Sequence, residues 1–253
     1  MIPLHDNIPT RRFPAVTVLL ILTNVAAYIL DYLTQQQVVV AHGIDRFGRQ
    51  VDFVDMVGGL SAHYSLIPAH VHNDLAQYWP TIFTSMFLHG GFMHIAGNML
   101  YLWIFGNNVE DTLGKVRFLL FYFACGTIGA FAHVAAAPDS MIPTVGASGA
   151  IAGLMGAYLV LFPRAEITTI VPIFFIGAVM EVPATIIIGF WAVLQFANAY
   201  WLKGGGMQGG GVAYMAHVGG FLAGVLLVLL LGGRRLVEQR REERYGYDEF
   251  YNR

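Results

Sequence analysis

The sequence is short of charge. Only 12% of its 253 residues are Asp, Glu, Lys or Arg, whereas a soluble domain carries about a quarter. So few charges cannot cover a surface that faces water on all sides. The net charge of −2 gives no reason to expect nucleic acid as a partner. Cysteine is almost absent as well. Cys125, the single thiol, cannot close an internal disulfide, and no C-x-x-C spacing offers a metal site. It sits in an apolar run and reads as a small buried hydrophobe. There is no H-E-x-x-H, and His89 and His94 are five apart, a poor spacing for two ligands on one helix face. No pair of aspartates falls inside an apolar segment, because Asp31, Glu110 and Asp111 sit at segment ends. These absences argue against zinc-protease and aspartyl chemistry, and no cofactor or metal is expected.

Long apolar runs fill most of what remains: 56% of the residues are hydrophobic. A membrane helix needs about 20 mostly apolar residues. Six runs qualify, at residues 14–32, 82–107, 118–137, 147–162, 183–202 and 213–231. The expected fold class is therefore an all-α polytopic membrane protein with six spans. The run after Arg11 and Arg12 is too long for a signal-peptide core and has no small-residue cleavage site after it. It reads as the first span. Residues 167–179 are apolar but short and contain Pro172, so a re-entrant or surface segment is expected there. The connection at about 34–79 is too apolar for a free linker and is expected to pack at the membrane surface. The expected organisation is a membrane unit over residues 1–232 and a charged cytoplasmic tail over 233–253.

Six spans put both ends of the chain on one side. With that side inside, Arg11, Arg12, Lys115, Arg117, Arg164 and the six arginines from Arg234 onward are internal. Only Arg46, Arg49 and Lys203 are external. This imbalance fits the positive-inside rule. The expected location is the cell membrane, with both termini cytoplasmic.

Spans two, four and six all run from outside to inside, and each carries polar residues near its outer end. Span two has His94 and Asn98, span four has Ser148, and span six has His217. Polar groups at membrane depth are unfavourable unless partnered, so each is a functional candidate; helix–helix hydrogen bonding is the plainer explanation of any one alone. Ser148 lies in Val145-Gly146-Ala147-Ser148-Gly149-Ala150, at the expected first turn of its helix. Backbone N–H groups there lack helical partners and favour negative charge, which suits a developing oxyanion. Gly220 and Gly224 follow His217 on one helix face, as Ala152 and Gly156 follow Ser148. Two such small-residue grooves allow close approach. Ser148 and His217 would then pair as nucleophile and base. His94 and Asn98 share a face and offer donors to an oxyanion. Residues 204–211 hold six glycines and read equally as a lid or a plain connector.

The stretches His89-Gly90-Gly91-Phe92-Met93-His94-Ile95-Ala96-Gly97-Asn98, Gly146-Ala147-Ser148-Gly149 and Ala216-His217-Val218-Gly219-Gly220 resemble the rhomboid family of intramembrane serine proteases. Tyr64-Ser65-Leu66-Ile67-Pro68-Ala69 and Ile173-Phe174-Phe175 are similar to segments of prokaryotic members. The resemblance implies a six-helix core with a Ser148–His217 dyad, an oxyanion site formed by His94, Asn98 and the Ser148 N–H, and a structural role for His89. It implies single-span membrane proteins as substrates and a site open to the external side. Two positions depart from the family pattern. Pro80 and Thr81 replace a common Trp-Arg pair, and Ala152 replaces a tyrosine that stacks on the catalytic histidine. Orientation of His217 must then come from elsewhere. A non-catalytic relative that binds membrane helices is the alternative. A small transporter is disfavoured, since the chain has no internal repeat.

Overall fold

In the computed structural model, residues 2–44, 50–173, 176–204, 212–233 and 235–239 are described. Helices dominate. The long ones are α1 (Ala15–Thr34), α5 (Phe92–Leu113), α6 (Lys115–Ala136), α7 (Ser148–Leu161), α8 (Ala184–Gly204) and α9 (Tyr214–Leu230). Three short helices, α2 (Ser61–Tyr64), α3 (Pro68–Asn73) and α4 (Leu75–Thr84), lie between α1 and α5. By length and hydropathy alone, α1, α6 and the first 18 residues of α8 can cross a membrane. α7 and α9 are apolar but shorter. α5 is long enough, but His94, Asn98, Asn107, Asn108, Glu110 and Asp111 lower its hydropathy.

The second apolar run does not form one helix over 82–107. α4 covers its beginning, and a 3₁₀ turn at Ser85–Phe87 and an extended break follow before α5 starts at Phe92. The cause is local. Gly90 and Gly91 are poor helix formers, and Gly91 is extended (φ 165°, ψ 167°) at the head of α5. At the other end of α5 only Gly114 separates it from α6. Its φ of +78° needs a residue without a Cβ, and a tight turn results.

Strands are a second departure from the all-α expectation. β4 (Glu166–Ile173) and β5 (Ile176–Pro183) form an antiparallel pair where a surface segment was expected. β1 (Ile2–Asp6) joins β4, with Ile2 opposite Ile170 and Asp6 opposite Ile167. The residues suit the role: EITTIVPI is rich in β-branched side chains. The 34–79 connection contains a second antiparallel pair, β2 (Gln35–Ile44) with β3 (Gln50–Gly58). Both hairpin tips, the glycine-rich residues 205–211 and most of the charged tail lie outside the described residues.

α7 is the centre of the bundle. It is apolar on every side, and every residue from Ala150 to Tyr158 is buried, as expected for a helix enclosed by others. Around it pack Leu102 and Phe105 of α5, Cys125 of α6 and Ile188 of α8. Its closest partner is α9, and glycine makes that approach possible. A Cβ on Gly220 would run into the Gly149 carbonyl, and one on Gly224 into that of Gly153. The α7 face used is therefore Gly149, Gly153 and Gly156, turned by one residue from the expected Ala152–Gly156 face.

Carboxylates tie the ends of the bundle. Glu110 of α5 is buried and accepts hydrogen bonds from Val16 N–H (3.0 Å), Thr17 N–H (2.7 Å) and Thr17 Oγ1 (2.8 Å). These are the orphan donors of the α1 N-terminus, where a carboxylate is favoured. At the other end of α1, Asp31 accepts from Ser61 N–H at 2.8 Å and fixes the start of α2. Asp6 of β1 accepts from Tyr158 Oη (2.7 Å) of α7 and Asn108 Nδ2 (2.6 Å) of α5.

Candidate active site

Ser148 is the first residue of α7, and His217 lies in the first turn of α9. The glycine seam between the two helices brings these side chains together. Ser148 Oγ and His217 Nε2 are 2.8 Å apart, within hydrogen-bond distance. The other ring nitrogen, Nδ1, lies 2.8 Å from Oε1 of Gln195 on α8. A carbonyl oxygen can only accept, so Nδ1 carries the ring proton. Nε2 is then left as an acceptor for the Ser148 hydroxyl. Trp191, one turn before Gln195 on α8, flanks the same ring with centroids 5.8 Å apart and planes at 38°. Tyr214 meets it edge-on at 6.5 Å.

His94 and Asn98 approach from α5. The two side chains border the backbone at Gly146, two residues before Ser148. Gly146 has φ +129°, and a Cβ there would sit 2.8 Å from His94 Nε2 and 3.6 Å from Asn98 Nδ2. His94 Nδ1 accepts a long hydrogen bond (3.4 Å) from Gly90 N–H, which puts the ring proton on Nε2, toward Gly146. Asn98 Nδ2 is buried and has no acceptor among the described residues. His89 is buried beside His94, ring edge to ring face, with centroids 5.0 Å apart.

The loop that delivers Ser148 is held from two sides. Leu66 and Thr144 exchange backbone hydrogen bonds (3.1 and 2.7 Å), and Gly146 N–H donates to the Ser85 carbonyl (2.9 Å). His133 of α6 meets Thr144 Oγ1 at 3.0 Å. The segment 64–69 thus braces the approach to α7. A cavity of about 460 Å³ opens at this point, with Ser148, His217, His94 and Asn98 all in its wall. A serine hydroxyl facing an imidazole acceptor, beside the unpaired Asn98 amide nitrogen and a helix N-terminus, can support nucleophilic attack on a carbonyl.

The sequence reading named Ser148, His217, His94 and Asn98 and left the orientation of His217 open. Gln195 and Trp191 were missed. A signal was present: Gln195 is one of few strongly polar residues in an apolar helix, and Trp191 lies four residues before it on the same face.

Fold and cavity together define a helical membrane protein with a polar site enclosed among its helices. The chain belongs to the rhomboid family: a family model for the Rhomboid domain matches residues 76–234. It is 33% identical over 169 residues to the putative rhomboid protease YdcA of Bacillus subtilis, covering 66% of this chain and 71% of that protein. It is 31% identical over 168 residues to the mitochondrial rhomboid protein 1 of Saccharomyces cerevisiae, covering 65% of this chain and 44% of the yeast protein. A third relative, the rhomboid protease GluP of Bacillus subtilis, is 44% identical over 81 residues, or 32% of this chain and 15% of GluP. The chain thus spans less than half of the yeast relative's length.

Proposed function

We propose that this protein is an intramembrane serine endopeptidase that cleaves single-span membrane proteins with a Ser148–His217 dyad. The contact of 2.8 Å between Ser148 Oγ and His217 Nε2, inside a cavity among apolar helices, carries this reading. The protein crosses the bilayer six times, through α1, α5, α6, α7, α8 and α9, as a unit over residues 1–232 with an external segment at about 34–79 and a cytoplasmic tail from 233. Both termini are cytoplasmic, which the charge imbalance supports. α7 has 14 residues and rises about 21 Å, less than the hydrocarbon core of about 30 Å. Ser148 at its outer end is thereby recessed below the external surface, where water can reach it through the cavity.

A substrate helix unwinds near Ser148. His217 Nε2 takes the hydroxyl proton as Oγ bonds to the scissile carbonyl carbon. The carbonyl oxygen becomes an anion held by the Ser148 N–H, His94 Nε2–H and Asn98 Nδ2–H. The C–N bond then breaks, and His217 returns the proton to the leaving amine. Water, activated by the same imidazole, hydrolyses the ester. The buried, unpaired amide of Asn98 suits this role, because its missing acceptor would be the oxyanion. The small residues around Ser148 favour a small side chain at the cleaved position.

Reaction with a fluorophosphonate probe tests the dyad. The detergent-purified protein is expected to label, and Ser148→Ala and His217→Ala are expected not to. No labelling of a folded wild type would overturn the reading in favour of a non-catalytic protein that binds membrane helices, and equal labelling of the Ser148→Ala variant would overturn the dyad by placing the reactive group elsewhere.

A further inference from the structure

We propose that Gln195 is a positioning residue for His217, making the catalytic unit a relay of three helices: Gln195 on α8, His217 on α9 and Ser148 on α7. The inference rests on the dyad reading above and adds to it the group that sets the state of the base.

An amide in a largely apolar helix needs a partner. Many such groups turn back on their own backbone, as Asn24 does on the Leu20 carbonyl in α1. Gln195 instead spans to another helix and meets a ring nitrogen, Oε1 to Nδ1 at 2.8 Å. Three consequences follow. The proton is fixed on Nδ1, so Nε2 keeps the lone pair that a base requires. The ring cannot rotate without losing the bond, so Nε2 stays on Ser148 Oγ at 2.8 Å. As His217 accepts the serine proton it becomes a cation, and the bond from Nδ1–H to Oε1 becomes charge-assisted and stronger. That last gain is realised only as the reaction proceeds, so it acts on kcat. Trp191 closes the remaining freedom by flanking the ring face. The two α8 residues do what a stacking tyrosine in place of Ala152 could not do alone: they fix both tilt and tautomer.

A neutral acceptor suits the setting. A carboxylate here would carry a charge among apolar helices, where desolvation offsets much of its attraction for the imidazolium. An amide oxygen accepts the same hydrogen bond without that cost.

The full chain in detergent, assayed on a single-span model substrate, tests the proposal with Gln195→Met, Gln195→Glu and Val193→Ala. Methionine keeps length and helix propensity but offers no comparable acceptor. Its kcat is expected to fall about 10- to 100-fold, the worth of one charge-assisted hydrogen bond, with KM unchanged. Glutamate restores the acceptor and is expected to recover most of the loss. Val193→Ala, on the exposed side of α8, is expected to match wild type. Nitrogen-15 NMR of labelled histidine should place the His217 proton on Nδ1 in the wild type and on both nitrogens in Gln195→Met. Wild-type kcat in Gln195→Met, or a glutamate variant as poor as methionine, would overturn the proposal while leaving the dyad intact. If the wild type itself proves inactive, the dyad reading fails, and the NMR comparison still decides whether Gln195 sets the ring proton.

Discussion

Glycine 146 shows how much one missing Cβ can decide. Its backbone lies in the positive-φ region, and the space a methyl would fill is bounded by His94 Nε2 and Asn98 Nδ2. Gly146→Ala therefore strains the chain, at about 1–3 kcal/mol, and pushes aside the donors proposed to hold the oxyanion. The fluorophosphonate labelling rate is expected to fall at least about tenfold, since loss of one such donor costs about 10²–10³. The detergent-solubilised protein should also unfold at a lower temperature. A variant that labels at the wild-type rate would remove His94 and Asn98 from the mechanism. Residues of this kind are legible in a sequence when a small-residue motif surrounds a candidate nucleophile, as it does at Ser148. Gln195 was harder to find. A lone glutamine in an apolar helix signals a partner, but its spacing does not say which one, and only the packing of α8 against α9 supplies His217.

At the scale of elements, five of the six apolar runs became helices within about three residues of the expected bounds. Hydropathy locates such segments because an apolar run long enough to cross a bilayer satisfies its backbone only as a helix or a closed barrel. The second run broke at Gly90–Gly91, which its hydropathy masked. The β1–β4–β5 sheet was also missed, because β1 is five residues long and its partner lies more than 150 residues away. Sequence patterns report local periodicity, and this pairing is not local. Asp6 ties that sheet to α5 and α7, and burial pushes its carboxyl above the ordinary value of 3.8, against the lowering effect of hydrogen bonds from Tyr158, Ile8 N–H and Asn108. The folded chain then holds this proton more tightly than the unfolded chain does. The resulting stability is fully present below the ordinary carboxyl value and is lost as pH rises through the folded one. Comparison of thermal unfolding for wild type and Asp6→Asn across mildly acidic pH should show a wild-type advantage that shrinks toward neutrality. A difference that stays flat with pH would mean that Asp6 ionises as it does in the unfolded chain.

For the whole molecule, membrane character and family were legible from composition and three motifs. The packing was less so. α7 is too short and too enclosed to resemble an ordinary span, yet every other helix of the site is placed by its contact with it. Glycines in α7 and α9 let the two backbones approach, and that approach brings Ser148 to His217. The proposed function at this scale requires the cavity around Ser148 and His217 to be open both to water and to helices in the surrounding lipid. The most direct measurement reconstitutes the protein in liposomes with a set of single-span proteins carrying a small residue near the external end of the span. Fragments are then located by mass spectrometry. The account predicts cuts within or at the edge of the span by the wild type, and none by Ser148→Ala or His217→Ala. Identical fragments from the Ser148→Ala protein, or intact substrates throughout with a folded wild type, would contradict it.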